Sequence, residues 1–198
     1  MFVLVVAVVG GLLGGLLLGG SLRNLERLSL RVAPLVVIAL LVQIVAFSPL
    51  GERLPSAAIV GLHVGSYALL LAFVAANIRR RAVVCFGLGV ASNTLAILVN
   101  GGYMPATRAA LRLAGLVEAT GHHNNSEVAG TTTHLGFLGD VFALPHAVPL
   151  ANVFSVGDVL IAVGLAWLIA AGMRGERGAL AAPAAPPTAA VSERTGSA

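Results

Sequence analysis

Four stretches of this chain, 2–20, 32–48, 57–77 and 82–100, hold no charged residue, and a fifth, 156–173, holds only Asp158. Each has roughly the 17–25 residues that a helix needs to cross a hydrocarbon core about 30 Å thick. Inside lipid a single segment must satisfy its own backbone N–H and C=O groups, so such runs read as membrane helices. Only 10% of the residues are charged, where a soluble domain carries about a quarter, and the mean hydropathy is +0.95. The sequence predicts an all-α, polytopic membrane protein with five transmembrane helices in one membrane domain, 1–173. The remainder, 174–198, is rich in Ala and Pro with few large apolar residues and reads as a disordered tail.

Arginine orients the helices. All 12 basic residues are Arg. Arg23, Arg27 and Arg31 follow the first run, Arg79, Arg80 and Arg81 the third, and Arg174, Arg177 and Arg194 the fifth; only Arg53, Arg108 and Arg112 fall on the other side. The positive-inside rule then puts the N-terminus outside and the C-terminus in the cytoplasm, as a multi-pass protein of the cell (plasma) membrane. No basic patch is interleaved with aromatics, so nucleic acid is set aside as a partner. The first run lacks a basic n-region and is too long for a signal peptide. Its glycines at 10, 11, 14, 15 and 19 form overlapping small-xxx-small spacings that admit a closely packed neighbour helix. Cys85, the single cysteine, lies in an apolar run and reads as a packing residue.

The segment 101–155 faces outward in this topology. Within it, 106–119 places Ala109, Ala110, Leu113, Leu116 and Val117 at three- and four-residue spacing opposite Arg108, Arg112 and Glu118, the pattern of an amphipathic interfacial helix. A polar stretch follows, with a short glycosylation sequon at Asn124-Asn125-Ser126. Val141 to Val153 is too apolar for a surface loop and too interrupted by proline for a helix. Non-helical backbone at membrane depth must be buried or line a cavity, so this stretch reads as a re-entrant or lid-like outer loop.

The polar residues of the helices gather towards the outer side. Gln43, His63 and Asn93 lie roughly 9–11 Å below the outer boundary at 1.5 Å per residue, with Asp158 shallower. Such residues either bond helix to helix or line a wet site. Asn100-Gly101-Gly102 suits a helix C-terminus, and Ser155 with Asp158 fits a capping box. Asp140 after a glycine suits a turn. With Asn152 and His146 these residues form the candidate outer site. The histidines at 122, 123, 134 and 146 match no zinc spacing, and no metal or cofactor is expected.

The motifs NGGYMP, HLGFLGD and PLANVFSVGD resemble a family of uncharacterised bacterial five-helix membrane proteins classed as a domain of unknown function. The resemblance spans about residues 1–173 and implies no activity. A second likeness, over about 30 residues, is to signal peptidase II, an intramembrane aspartyl protease. Phe154, Asp158, Ile161 and Gly164 match the motif opening its last helix, Asp140 stands where its first catalytic aspartate would, and Asn100-Gly101-Gly102 echoes its Asn-x-Gly. Ser155 replaces the motif asparagine, and the family's Gly-Asn-x-x-Asp-Arg element is missing. That resemblance implies a dyad in which one of Asp140 and Asp158 holds a proton while the other activates water. The reading from the residues is a membrane protein with a polar site at its outer face, binding or structural in role. Its partners are the lipid bilayer and a membrane protein or lipid. An aspartyl peptidase and small-solute transport are the alternatives.

Overall fold

Proline, glycine and capping side chains set the ends of the helices that the apolar runs form. In the computed structural model, which describes residues 2–116, 126–148 and 151–175, these are α1 (Phe2–Leu17), α2 (Pro34–Ala46), α3 (Ser56–Ala76), α4 (Arg81–Val99), α5 (Arg108–Leu113) and α6 (Val156–Met173). Pro34 opens α2, where its missing N–H interrupts no helical bond. α4 ends as Gly101 and Gly102 turn left-handed, with φ of 69° and 97°, and Gly102 N–H returns to the Ile97 carbonyl at 2.9 Å.

Three helices, α3, α4 and α6, are long and apolar enough to cross a membrane, while α1 and α2 are shorter. Five full-length spans were expected from the apolar runs, and the local backbone explains the shortfall. The end of the first run is taken up by a turn at Gly19, whose φ is 77°, and the start of the second by Val32 at φ 47°.

The helices pack in the order α1, α6, α4, α3, α2, so the first two in sequence stand at opposite edges. Tyr67, Phe73, Val83, Phe86, Ile97 and Leu168 are among the residues that form the core around α4. The structure also chooses between the overlapping glycine registers of α1. A Cβ on Gly11 would lie 2.9 Å from Ala166 Cα and one on Gly15 would meet the Met173 side chain, whereas Gly10 and Gly14 have nothing within 4 Å. Gly11→Leu should therefore lower the midpoint of thermal unfolding in detergent by an overpacking cost of about 1–3 kcal/mol, and Gly14→Leu should leave it nearly unchanged. Equal effects would mean that α1 does not seat on α6 through this face.

The segment after α4 departs from the all-α expectation. Four short strands, β1 (Met104–Ala106), β2 (Ser126–Val128), β3 (Asp140–Leu144) and β4 (Asn152–Ser155), form one sheet in the order β2-β1-β3-β4. β1 runs parallel to β2 and β3, and β3 pairs antiparallel with β4. The apolar stretch expected to be a re-entrant or lid-like loop is this β3–β4 hairpin. Phe142 faces Phe154 across it, with the rings stacked 5.5 Å apart.

The expected interfacial helix is also corrected. It begins only at Arg108, capped by Thr107, and buries Ala110 and Leu111 with Ala114 against Ala106 and Val153 of the sheet, leaving Leu113 exposed. Its apolar side is thus turned towards protein. Val117, His122, His123, the sequon's Asn124 and Asn125, and the tail from 176 onward lie outside the described residues. The sheet and α5 form a cap over the ends of α4 and α6.

Candidate functional site

The cap is joined to the helices by a buried polar network centred on Asn93. α6 starts at Ser155 because the Ser155 hydroxyl accepts the Asp158 N–H at 3.0 Å while the Asp158 carboxylate accepts the Ser155 N–H at 2.9 Å. This is the reciprocal box expected from the sequence, and it satisfies two otherwise unbonded donors at the helix start. Asn93 of α4 closes the arrangement into a ring. Its amide donates to Asp158 Oδ1 at 2.8 Å and its carbonyl oxygen accepts from Ser155 Oγ at 2.9 Å. Gly157 makes this approach possible, since any Cβ there would strike Asn93 Oδ1.

Asp140 lies across the hairpin from Ser155 and is 4% exposed. Its backbone carbonyl accepts the Thr107 N–H at 3.0 Å, tying β3 to the start of α5. The buried Tyr67 side chain of α3 stands against the Asn93 amide. Asp140 on β3 and Asp158 in the first turn of α6 thus both neighbour Ser155, the first as its cross-strand partner and the second through the capping box.

A second group of polar residues continues from Tyr67 towards α2. His63 packs edge-on against Tyr67 and Phe47, and its Nδ1 lies 3.0 Å from the Gly102 carbonyl. A carbonyl only accepts, so Nδ1 carries the proton. Ser66 Oγ donates to the His63 carbonyl at 2.6 Å and accepts from Gln43 Nε2 at 2.9 Å, bonding α2 to α3. Gln43, His63, Gly102, Asn93, Ser155 and Asp158 thus all serve contacts between elements.

Asn100 acts at the rim. Its amide donates to the Ala96 and His134 carbonyls, and its oxygen accepts the His134 N–H at 2.9 Å, anchoring the loop before β3. Beside it opens a cavity of about 260 Å³, lined in part by Asn100, Tyr103, Pro105, Val128, Thr132 and Thr133. Gly101, exposed at the turn, supplies backbone shape only.

Two expected site residues stay apart from this region. His146 is exposed at the hairpin turn, where its N–H bonds the Leu113 carbonyl, and Asn152 accepts the N–H of its neighbour Val153. Ser66 and Tyr67 were not singled out from the sequence. Their signal was present, three and four residues after His63 on the same helical face, but a serine and an aromatic inside an apolar run read as ordinary core. Among the described residues no group of three or more His, Cys, Asp or Glu is placed to hold a metal ion.

A model described as a family of unknown function, DUF5317, matches residues 27–170, which takes in α2 to α5, most of α6, the sheet and every residue of the Asn93 network. The chain belongs to the DUF5317 family. No curated protein and no solved structure matches it. The resemblance to a domain of unknown function is thereby confirmed. DUF5317 brings no activity with it, and the likeness to signal peptidase II rests on the short motif alone.

Proposed function

We propose that the chain is an integral membrane protein of five spans in a bacterial plasma membrane, with its N-terminus outside and its C-terminus in the cytoplasm. Its outer cap binds a partner or a small polar ligand and performs no catalysis. The observation that carries this reading is the engagement of Asp158: Oδ1 takes the Asn93 amide and Oδ2 the Ser155 N–H. A carboxylate held from both sides in this way starts a helix and fastens a cap. The cavity beside Asn100, walled by hydroxyl, amide and apolar groups, offers an uncharged polar seat on that outer side. For the two shorter helices, a span of 13 residues in α2 extends about 20 Å. The apolar flanks Val32, Ala33 and Phe47 and local thinning of the bilayer make up the remainder.

One observation favours a second reading, an intramembrane aspartyl peptidase. Asp140 pairs across the hairpin with Ser155, and Asp158 is bonded to that same Ser155, so the two aspartates neighbour one residue. Small-solute transport has no such observation behind it.

Two measurements separate these readings. Reporter fusions should place Arg80 in the cytoplasm and Ala129 outside; an external Arg80 overturns the topology. In a deletion strain, Asp140→Asn and Asp158→Asn should each complement fully, and Asp158→Asn should cost no more than the roughly 0.5–2 kcal/mol of a lost cap. A dyad requires two carboxyls, so full complementation by both variants rules out the peptidase, and loss of function in both at normal folded yield would overturn the purely capping role of Asp158.

A further inference from the structure

Because α1 and α2 stand at opposite edges of the helix row, the link between them, 18–33, must run beneath the whole row at the end opposite the cap. It does so as a strap fastened along its length. The Ser21 N–H and the Asn24 amide both bond the Met173 carbonyl at the end of α6, at 2.8 and 2.7 Å. Leu25 and Leu28 face Gly172 of α6. Further on, the Arg80 guanidinium donates to the Ser29 carbonyl, and Asn77 clamps Arg31 on both sides, accepting its N–H and donating to its carbonyl, each at 2.9 Å.

The strap is two-sided. Leu28 and Leu30 pack against the helix core, while Arg23, Arg27 and Arg31, spaced every four residues, are exposed. The Asn77 and Arg80 bonds bring the second arginine cluster, Arg79 to Arg81, against the far end of the strap. Two clusters about 50 residues apart in sequence thereby become one surface of six arginines, with Glu26 as the single acidic residue on the strap. The sequence beyond Gly175 adds Glu176, Arg177, Glu193 and Arg194, no net charge to offset it.

We infer that this strap is a binding surface for the headgroups of anionic phospholipids. The inference rests on the membrane-spanning reading, which sets the strap at headgroup depth with its leucines towards the helix ends and its guanidinium groups outward. Arginine forks pair with phosphate oxygens in two parallel hydrogen bonds, and basic residues held near an anionic leaflet gain from its surface potential.

The test uses the full chain in detergent, titrated with phosphatidylglycerol or phosphatidylcholine, with lipid retention read by native mass spectrometry. Retention of phosphatidylglycerol should exceed that of phosphatidylcholine by about tenfold or more, and about 0.5 M salt should erase most of the difference. Combining Arg23→Gln, Arg27→Gln and Arg31→Gln should bring the ratio close to one, whereas Arg53→Gln with Arg108→Gln at the cap end should leave it intact. The salt series on the wild type stands even if the triple variant folds poorly. Equal retention of both lipids by the wild type, or a preference kept by the folded triple variant, overturns the strap. A chain that did not span a membrane would retain neither lipid, so failure of the membrane reading is distinguishable.

Discussion

Replacing Asn93 with leucine should cost about 2–4 kcal/mol of folding stability, because it strips a partner from the buried Ser155 hydroxyl and from the half-buried Asp158 carboxylate at once. Asn93 is 1% exposed and Ser155 fully buried. Leucine keeps the branched shape of asparagine with bulkier methyl ends, and it has no donor for Asp158 Oδ1 and no acceptor for the Ser155 hydroxyl. The capping box survives, yet its two side chains each lose the bond that ties them to α4. Thermal unfolding in detergent, followed by circular dichroism, reads the loss. A double-mutant cycle with Asp158→Ala should give a coupling of about 1 kcal/mol or more, as expected for residues in one hydrogen-bonded network. Additive losses in that cycle would show that Asn93 and Asp158 do not act together.

A comparable or larger loss is expected from Gly164→Leu. An added Cβ there would lie 2.7 Å from Phe86 Cα and still closer to its backbone nitrogen. Backbone cannot turn aside as a flexible side chain can, and α4 packs extensively against α6. Separating the two helices would also pull Asn93 away from Ser155 and Asp158. The substitution should destabilise by about 3 kcal/mol or more and sharply reduce the folded yield. Gly65→Leu, where nothing lies within 4 Å, is the matched control and should be tolerated. Similar yields for the two variants would mean that α4 and α6 do not meet at Gly164.

The sequence alone determined where the long apolar helices lie, to within a few residues at their ends. The reason is local: a long uncharged run satisfies its own backbone, and proline, left-handed glycine and the Ser155–Asp158 pair stop or start it within a few residues. The resemblance to a family of unknown function was legible for a similar reason, through contiguous motifs at 100–105, 134–140 and 149–158.

The cap was not legible. Its strands have three to five residues, too short for a period of two to stand out from a generally apolar background, and β1 pairs with partners about 20 and 35 residues further on. Only the tertiary structure decided that Phe142 to Leu144 pair with Asn152 to Phe154 as a hairpin, that Gly11 and not Gly10 meets α6, and that Asn93 closes a ring with Ser155 and Asp158. Each of these depends on which distant segments come together, and pairing across space leaves no period in the chain itself. The strap shows this most plainly. Its arginines are visible to anyone reading the sequence, but their union into one surface follows from the packing order of the helices, which obliges the α1–α2 link to cross beneath the row.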